Sequence, residues 1–179
     1  MGAVAMNKAR FTLEQINALG REDFARLAGP VFEHSPWIAG TAWADRPFAS
    51  LDALHRALCD AVDRAGEEKQ LHLIRAHPDL VGRAAPAGTL TPASAREQAD
   101  AGLDRLGRED IAAFAEFNRA YREKFDFPFI ICARLNKKEA ILAGFRARLT
   151  HSRETEIRAA LAEIFQIARL RLEDLIVPL

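Results

Sequence analysis

The chain has 179 residues, of which 49% are hydrophobic and 28% charged, enough for one globular domain with a sizeable core. Lysine plus arginine and aspartate plus glutamate both number 25, so the formal charge is zero. That balance argues against wholesale binding of nucleic acid or of an anionic membrane, and leaves room for a local basic pocket holding a small anion.

Two cysteines, Cys59 and Cys132, match neither a zinc spacing nor a disulfide framework, which fits a reducing cytoplasm. No apolar run approaches the roughly 20 residues that span a bilayer. The N-terminus has no secretory or myristoylation pattern. Residues 1–9 read as a flexible extension, and 10–179 as the domain.

The dominant hydrophobic period is helical. Thr12 to Gln15 fits a capping box opening a short helix. Phe24, Leu27, Ala28, Val31 and Phe32 form an amphipathic stripe that Pro30 must kink or split, and Ser35-Pro36-Trp37 reads as a break. Ser50 caps a helix carrying Leu51, Leu54, His55, Leu58 and Val62 on one face, closed by Gly66. A further helix runs from Glu67 to about Arg75.

His77 precedes Pro78, which biases it away from helical geometry and onto a loop. Residues 82–90 read as a flexible loop. Thr91-Pro92 then starts a helix expected over 92–105. Ile111, Phe114, Phe117, Asn118, Tyr121 and Phe125 mark another. Phe127 to Ala133 is the one strand-like run. With no second strong strand to pair with, it reads as a buried extended connector whose peptide groups need partners, hence a ligand-facing segment. Asn136 with Glu139 is a capping box for the next helix, and Ser152 opens the longest, to about Ile176. The fold class is all-α, a single-domain compact bundle of about eight helices.

Three places could carry chemistry. His77 is a loop imidazole, and an ordinary histidine exchanges protons near neutrality; it is equally readable as structural. Ser94, Glu97 and Gln98 share one face of the helix after Thr91, and the small Ala101 on that face leaves room beside the carboxylate. Glu97 also fits a solvated first-turn acid.

In the last helix the apolar stripe Ile157, Leu161, Ile164, Ala168, Leu175 includes Arg171 and excludes Arg169. A core-facing guanidinium needs a buried carboxylate or an anionic ligand. His55 reads as a packed core histidine and Cys132 as an inert buried thiol. His72 and His77 are not spaced as two metal ligands on one face, and no metal is expected. No phosphate loop or nucleophile elbow is present.

Taken in order, Phe32 to Trp37, Arg75 to Leu80, Ser94 to Leu103, Phe127 to Ile130 and Ile167 to Leu172 resemble 2-oxo-4-hydroxy-4-carboxy-5-ureidoimidazoline (OHCU) decarboxylase, over about residues 12–176. The resemblance implies an all-helical, cofactor-free, usually dimeric enzyme of urate catabolism that decarboxylates OHCU to (S)-allantoin after uricase and hydroxyisourate hydrolase have acted. It places the catalytic histidine, glutamate and arginine on His77, Glu97 and Arg171. Substrate contacts fall on Pro78, Ser94, Gln98 and the backbone of Phe129, Ile130, Ile131, Cys132 and Ala133. The closing Val177-Pro178-Leu179 does not match the peroxisomal tripeptide of many plant and animal members, so a bacterial cytoplasm is expected. Two other readings stand beside it: a helical lyase or hydrolase acting on a related ureide, and a non-enzymatic helical module whose polar residues are structural.

Overall fold

The computed structural model describes residues 10–82 and 90–177. Among these are nine α-helices: α1 (Leu13–Ala18), α2 (Arg21–Ala28), α3 (Pro36–Ala42), α4 (Leu51–Asp63), α5 (Glu67–Arg75), α6 (Pro92–Asp100), α7 (Arg108–Phe125), α8 (Lys138–Arg148) and α9 (Arg153–Leu175). Three single 3-10 turns interrupt them, and the one β-bridge among the described residues pairs Phe11 with Ile176. The all-α expectation is met. Neither the extension at 1–9 nor most of the loop expected at 82–90 lies within the described residues. No described helix is long and apolar enough to cross a membrane.

Most helix starts follow the local chemistry. Thr12 accepts from the Gln15 N–H while the Gln15 side chain accepts from the Thr12 N–H, a complete capping box. Ser50 and Thr91 accept from Ala53 and Ser94 in the same manner. Ser152 accepts from Thr155 at the head of α9. Pro30 ends α2 in a 3-10 turn over Gly29–Val31, and the break at Ser35-Pro36 is the start of α3, with proline in its first turn.

Three expectations fail. The helix predicted over 92–105 stops at Asp100, because Gly102 turns the chain with φ +76° and its N–H bonds back to the Ala99 carbonyl. The box predicted at Asn136 and Glu139 is absent. Lys137 is the cap residue, and the Asn136 amide instead donates to the Cys132 carbonyl at 3.0 Å. His55 is half-buried rather than a core residue, 3.4 Å from the Cys59 sulfur.

The chain divides into two compact units, residues 1–64 with 168–179 and residues 65–167. In the first unit Phe24 stacks on Phe48, and Asn17 makes reciprocal hydrogen bonds with the Phe48 backbone. Arg46 donates to the carbonyls of Asn17 and Leu19 and lies 4.0 Å over the Trp43 ring. The terminal stretch joins this unit through Phe11, whose N–H donates to Leu175 and whose carbonyl accepts from Val177.

The second unit has an aromatic core: Phe114, Tyr121 and Phe125 from α7, Phe127 and Phe129 from the connector, and Phe145 from α8 are all buried. Phe129 stacks on Phe145 with centroids 3.8 Å apart. Burying six large rings supplies much of the apolar area that holds the unit together, and it locks the connector between α7 and α8.

Candidate active site

His77 leaves the end of α5 and is buried, 6% exposed. Its backbone N–H donates to the Ile74 carbonyl, and its ring Nδ1 lies 2.9 Å from the Leu73 carbonyl oxygen. A carbonyl can only accept, so Nδ1 carries the proton. In the neutral ring the lone pair then sits on Nε2. One turn of helix thus sets the tautomer of the imidazole.

The loop after His77 is clamped from α6 and α7. The Gln98 amide oxygen accepts the Val81 N–H at 3.0 Å, Asn118 donates to the Leu80 carbonyl at 2.8 Å, and Arg122 meets the Asp79 carboxylate at 2.9 and 3.0 Å. Val81 has φ +56°, a strained conformation for a β-branched residue, held by the Gln98 bond. Gln98, expected as a substrate contact, is therefore seen bonding the loop that carries His77 and Pro78.

Ser94, Glu97 and Gln98 form the inward face of α6, with Ala101 as the residue that closes it, while Ala95, Arg96 and Asp100 are exposed, as the spacing requires. Ser94 is buried and Glu97 half-buried. Glu97 lines a narrow crevice with Cys132, Ala133, Arg134 and Ile167, too tight to admit a water molecule. Burial pushes the Cys132 thiol pKa up, and the Glu163 and Glu97 carboxylates add to that shift. Both effects favour the protonated thiol at neutral pH.

The connector is non-helical from Phe127 to Cys132. Phe129, Ile130, Cys132 and Ala133 are buried and Ile131 is partly exposed. Arg148 donates to the Ile130 carbonyl at 2.6 Å and lies 4.5 Å over the Phe129 ring. Arg148 also meets Glu156 at 2.9 Å, and the fully buried Glu156 carboxylate accepts from Tyr121 and contacts His151 as well. Burial, then the bond to Glu156, drives the Tyr121 hydroxyl pKa upward. The Cys132 N–H donates to Glu163 at 2.7 Å.

In the other unit Arg171 is 8% exposed, and Arg169 lies outside the core on Asp52 and Glu173, as the helical period predicts. The carboxylate that a buried guanidinium requires is Glu33, 2.9 Å from Arg171 and 2% exposed. Arg171 also donates to the Val31 carbonyl at 3.3 Å.

Sequence reasoning placed Glu33 within a family motif and gave it no role. Its signal was an acid flanked by Phe32 on an apolar stripe. Arg148, Glu156 and Glu163 were missed altogether, because acids and bases on amphipathic helices look like solvated residues until the packing is known.

These arrangements define a class, an all-α protein with a buried loop histidine, a half-buried helix carboxylate and a buried arginine–glutamate pair. The family model for OHCU decarboxylase matches residues 17–173. The chain belongs to that family. It is 45% identical over 163 residues to a 2-oxo-4-hydroxy-4-carboxy-5-ureidoimidazoline decarboxylase of Haloferax volcanii, covering 91% of this chain and 95% of the relative. It is 39% identical over 165 residues to the protein of that name from Mus musculus, covering 90% and 91%.

Among solved structures, the crystal structure of (S)-allantoin synthase superposes with a TM-score of 0.73 at 26% identity, over 93% of this chain and 54% of that one. The crystal structure of OHCU decarboxylase in the presence of (S)-allantoin gives 0.62 at 22% identity, over 78% and 89%, and bears on the fold alone.

Proposed function

We propose that this chain is a cofactor-independent carboxy-lyase that converts OHCU to (S)-allantoin in urate degradation, with His77, Glu97 and Arg171 as its catalytic residues. The observation that carries the reading is the 45% identity to a decarboxylase of that name over nearly the full length of both chains. Local geometry supports the roles of His77 and Arg171 separately.

The substrate bears a carboxylate and a hydroxyl on one ring carbon, next to a C=N bond. As carbon dioxide leaves, the C–C bond pair forms a carbon–carbon double bond and the C=N pair moves onto nitrogen, which takes up a proton. The resulting enol loses its hydroxyl proton, and the neighbouring carbon gains one on a single face. One proton is consumed overall, and the substrate's own C=N is the electron sink.

His77, with its lone pair fixed on Nε2, suits exchange of the hydroxyl proton. Glu97 orients the imidazole or holds ureido N–H groups. Arg171, kept rigid by Glu33, binds the anionic substrate or stabilises developing charge. Pro78, Ser94, Gln98 and the backbone of Phe129, Ile130, Ile131, Cys132 and Ala133 contact the ring and ureido amides.

The protein is further proposed to be a cytoplasmic homodimer with no nucleic-acid or membrane partner. The dimer follows from the family resemblance, and the location from two buried cysteines with free thiols. The test of function is (S)-allantoin formation from fresh OHCU, followed by circular dichroism. Racemic product at the uncatalysed rate overturns it, and light scattering that gives a monomer overturns the dimer.

A further inference from the structure

We propose that Glu163 is a positioning residue for this reaction: its carboxylate sets the connector so that the peptide groups of Phe129 and Ile131 present themselves to the amides of the substrate. The inference rests on the function proposed above and adds to it a residue that touches no substrate.

A non-helical segment threaded between helices must satisfy its peptide groups, and here the partners are unevenly distributed. The Ile130 carbonyl takes Arg148. The Cys132 N–H donates to Glu163 at 2.7 Å, and the Cys132 carbonyl takes Asn136 and the Leu135 N–H. The anchored residues are two apart, and in extended chain such residues send their peptide groups to the same side.

Phe129 and Ile131 then send theirs to the opposite side. Among the described residues neither makes a backbone hydrogen bond. Ile131 is also the partly exposed residue in an otherwise buried run. A ring lactam and a ureido group each offer a donor and an acceptor, the complement of one peptide's N–H and C=O.

Two side chains hold the segment against displacement. Arg148 is itself fixed by the fully buried Glu156, which also bonds Tyr121 and His151. Glu163 reaches from α9 as a charged acceptor, which makes its bond to Cys132 stronger than one between neutral groups. Cys132 and Ala133 line the crevice shared with Glu97, so a shift of the Cys132 peptide moves the wall beside the proposed catalytic carboxylate as well.

Glu163→Met keeps the length and removes the acceptor. Glu163→Gln removes the charge and keeps an acceptor oxygen. The expected result for Glu163→Met is a KM for OHCU and a Kd for (S)-allantoin each raised about tenfold, with kcat within about threefold of wild type. Glu163→Gln stays within about twofold on all three. Glu163→Ala carries the expectation of the methionine variant and replaces it if that variant does not fold.

A methionine or alanine variant with lowered Tm but unchanged KM and Kd makes Glu163 merely structural and overturns the inference. So does a glutamine variant as impaired as the methionine one. Wild-type protein that neither accelerates (S)-allantoin formation nor binds (S)-allantoin overturns the proposed function first, and this inference with it.

Discussion

The buried pair Glu33–Arg171 lets stability and chemistry be separated. The two groups are 2.9 Å apart, with side chains 1% and 8% exposed. Deleting one partner of such a pair leaves an uncompensated buried charge, at about 3–5 kcal/mol, whereas replacing both with apolar groups of similar volume is often neutral or better. For a chain of this size 1 kcal/mol moves Tm by roughly 2–4 °C.

Glu33→Met and Arg171→Met should therefore each lower Tm by about 6–12 °C at the lower end of that cost. The double variant should recover most of the loss. Activity follows a different order: any variant lacking Arg171 loses about 10²–10³ in kcat, the scale of a missing charge-stabilising donor. Arg171→Lys shares the loss, since a point charge does not replace the planar fork. Thermal unfolding by far-UV circular dichroism and turnover of fresh OHCU read the two properties separately. A double variant as unstable as the single ones refutes the desolvation argument. A folded Arg171→Met at wild-type rate refutes the catalytic role.

Other consequences are as direct. Tyr121→Phe leaves the aromatic core in place but strips one donor from the buried Glu156 carboxylate; it should cost about 1–3 kcal/mol in chemical denaturation, and no loss would mean the bond is absent in solution. The Cys59 thiol pKa is pushed up to about 12, burial first and Asp63 and Asp60 next. Thiolate is the reactive form, so alkylation of native Cys59 at pH 8 should be roughly a thousandfold slower than that of a free thiol and rise with pH toward that value. Fast labelling of Cys59 in folded protein contradicts the burial. Glu97→Gln should lower turnover while far-UV spectra and Tm stay near wild type, because Glu97 is half-buried at the edge of a crevice rather than in the core.

Much of the architecture was legible because it is set locally. Thr12, Ser50, Thr91 and Ser152 cap helices through their own side chains, and proline at positions 30, 36 and 92 fixes where helices end or start. The helical period also separated Arg171 from Arg169, since two residues of rotation turn a side chain from the core to the surface.

What failed was decided over distance. Asn136 is a good cap by local rules, yet its amide is taken by the Cys132 carbonyl. No local signal announces that the Gln98 amide oxygen takes the Val81 N–H, or that the Val81 backbone is strained. Glu33 and Glu163 are ordinary acids until Arg171 and the Cys132 N–H come within 2.9 and 2.7 Å of them. The substrate class came from the ordered motifs and the relatives, not from any spacing of charges.

The central claim meets its most direct test in His77→Asn. Asparagine retains a donor for the Leu73 carbonyl and removes the titratable nitrogen. With OHCU generated fresh from urate, the account predicts a folded protein of near-native Tm whose rate of (S)-allantoin formation falls by about 10²–10⁴. Formation of the (S) enantiomer at the wild-type rate by this variant contradicts it.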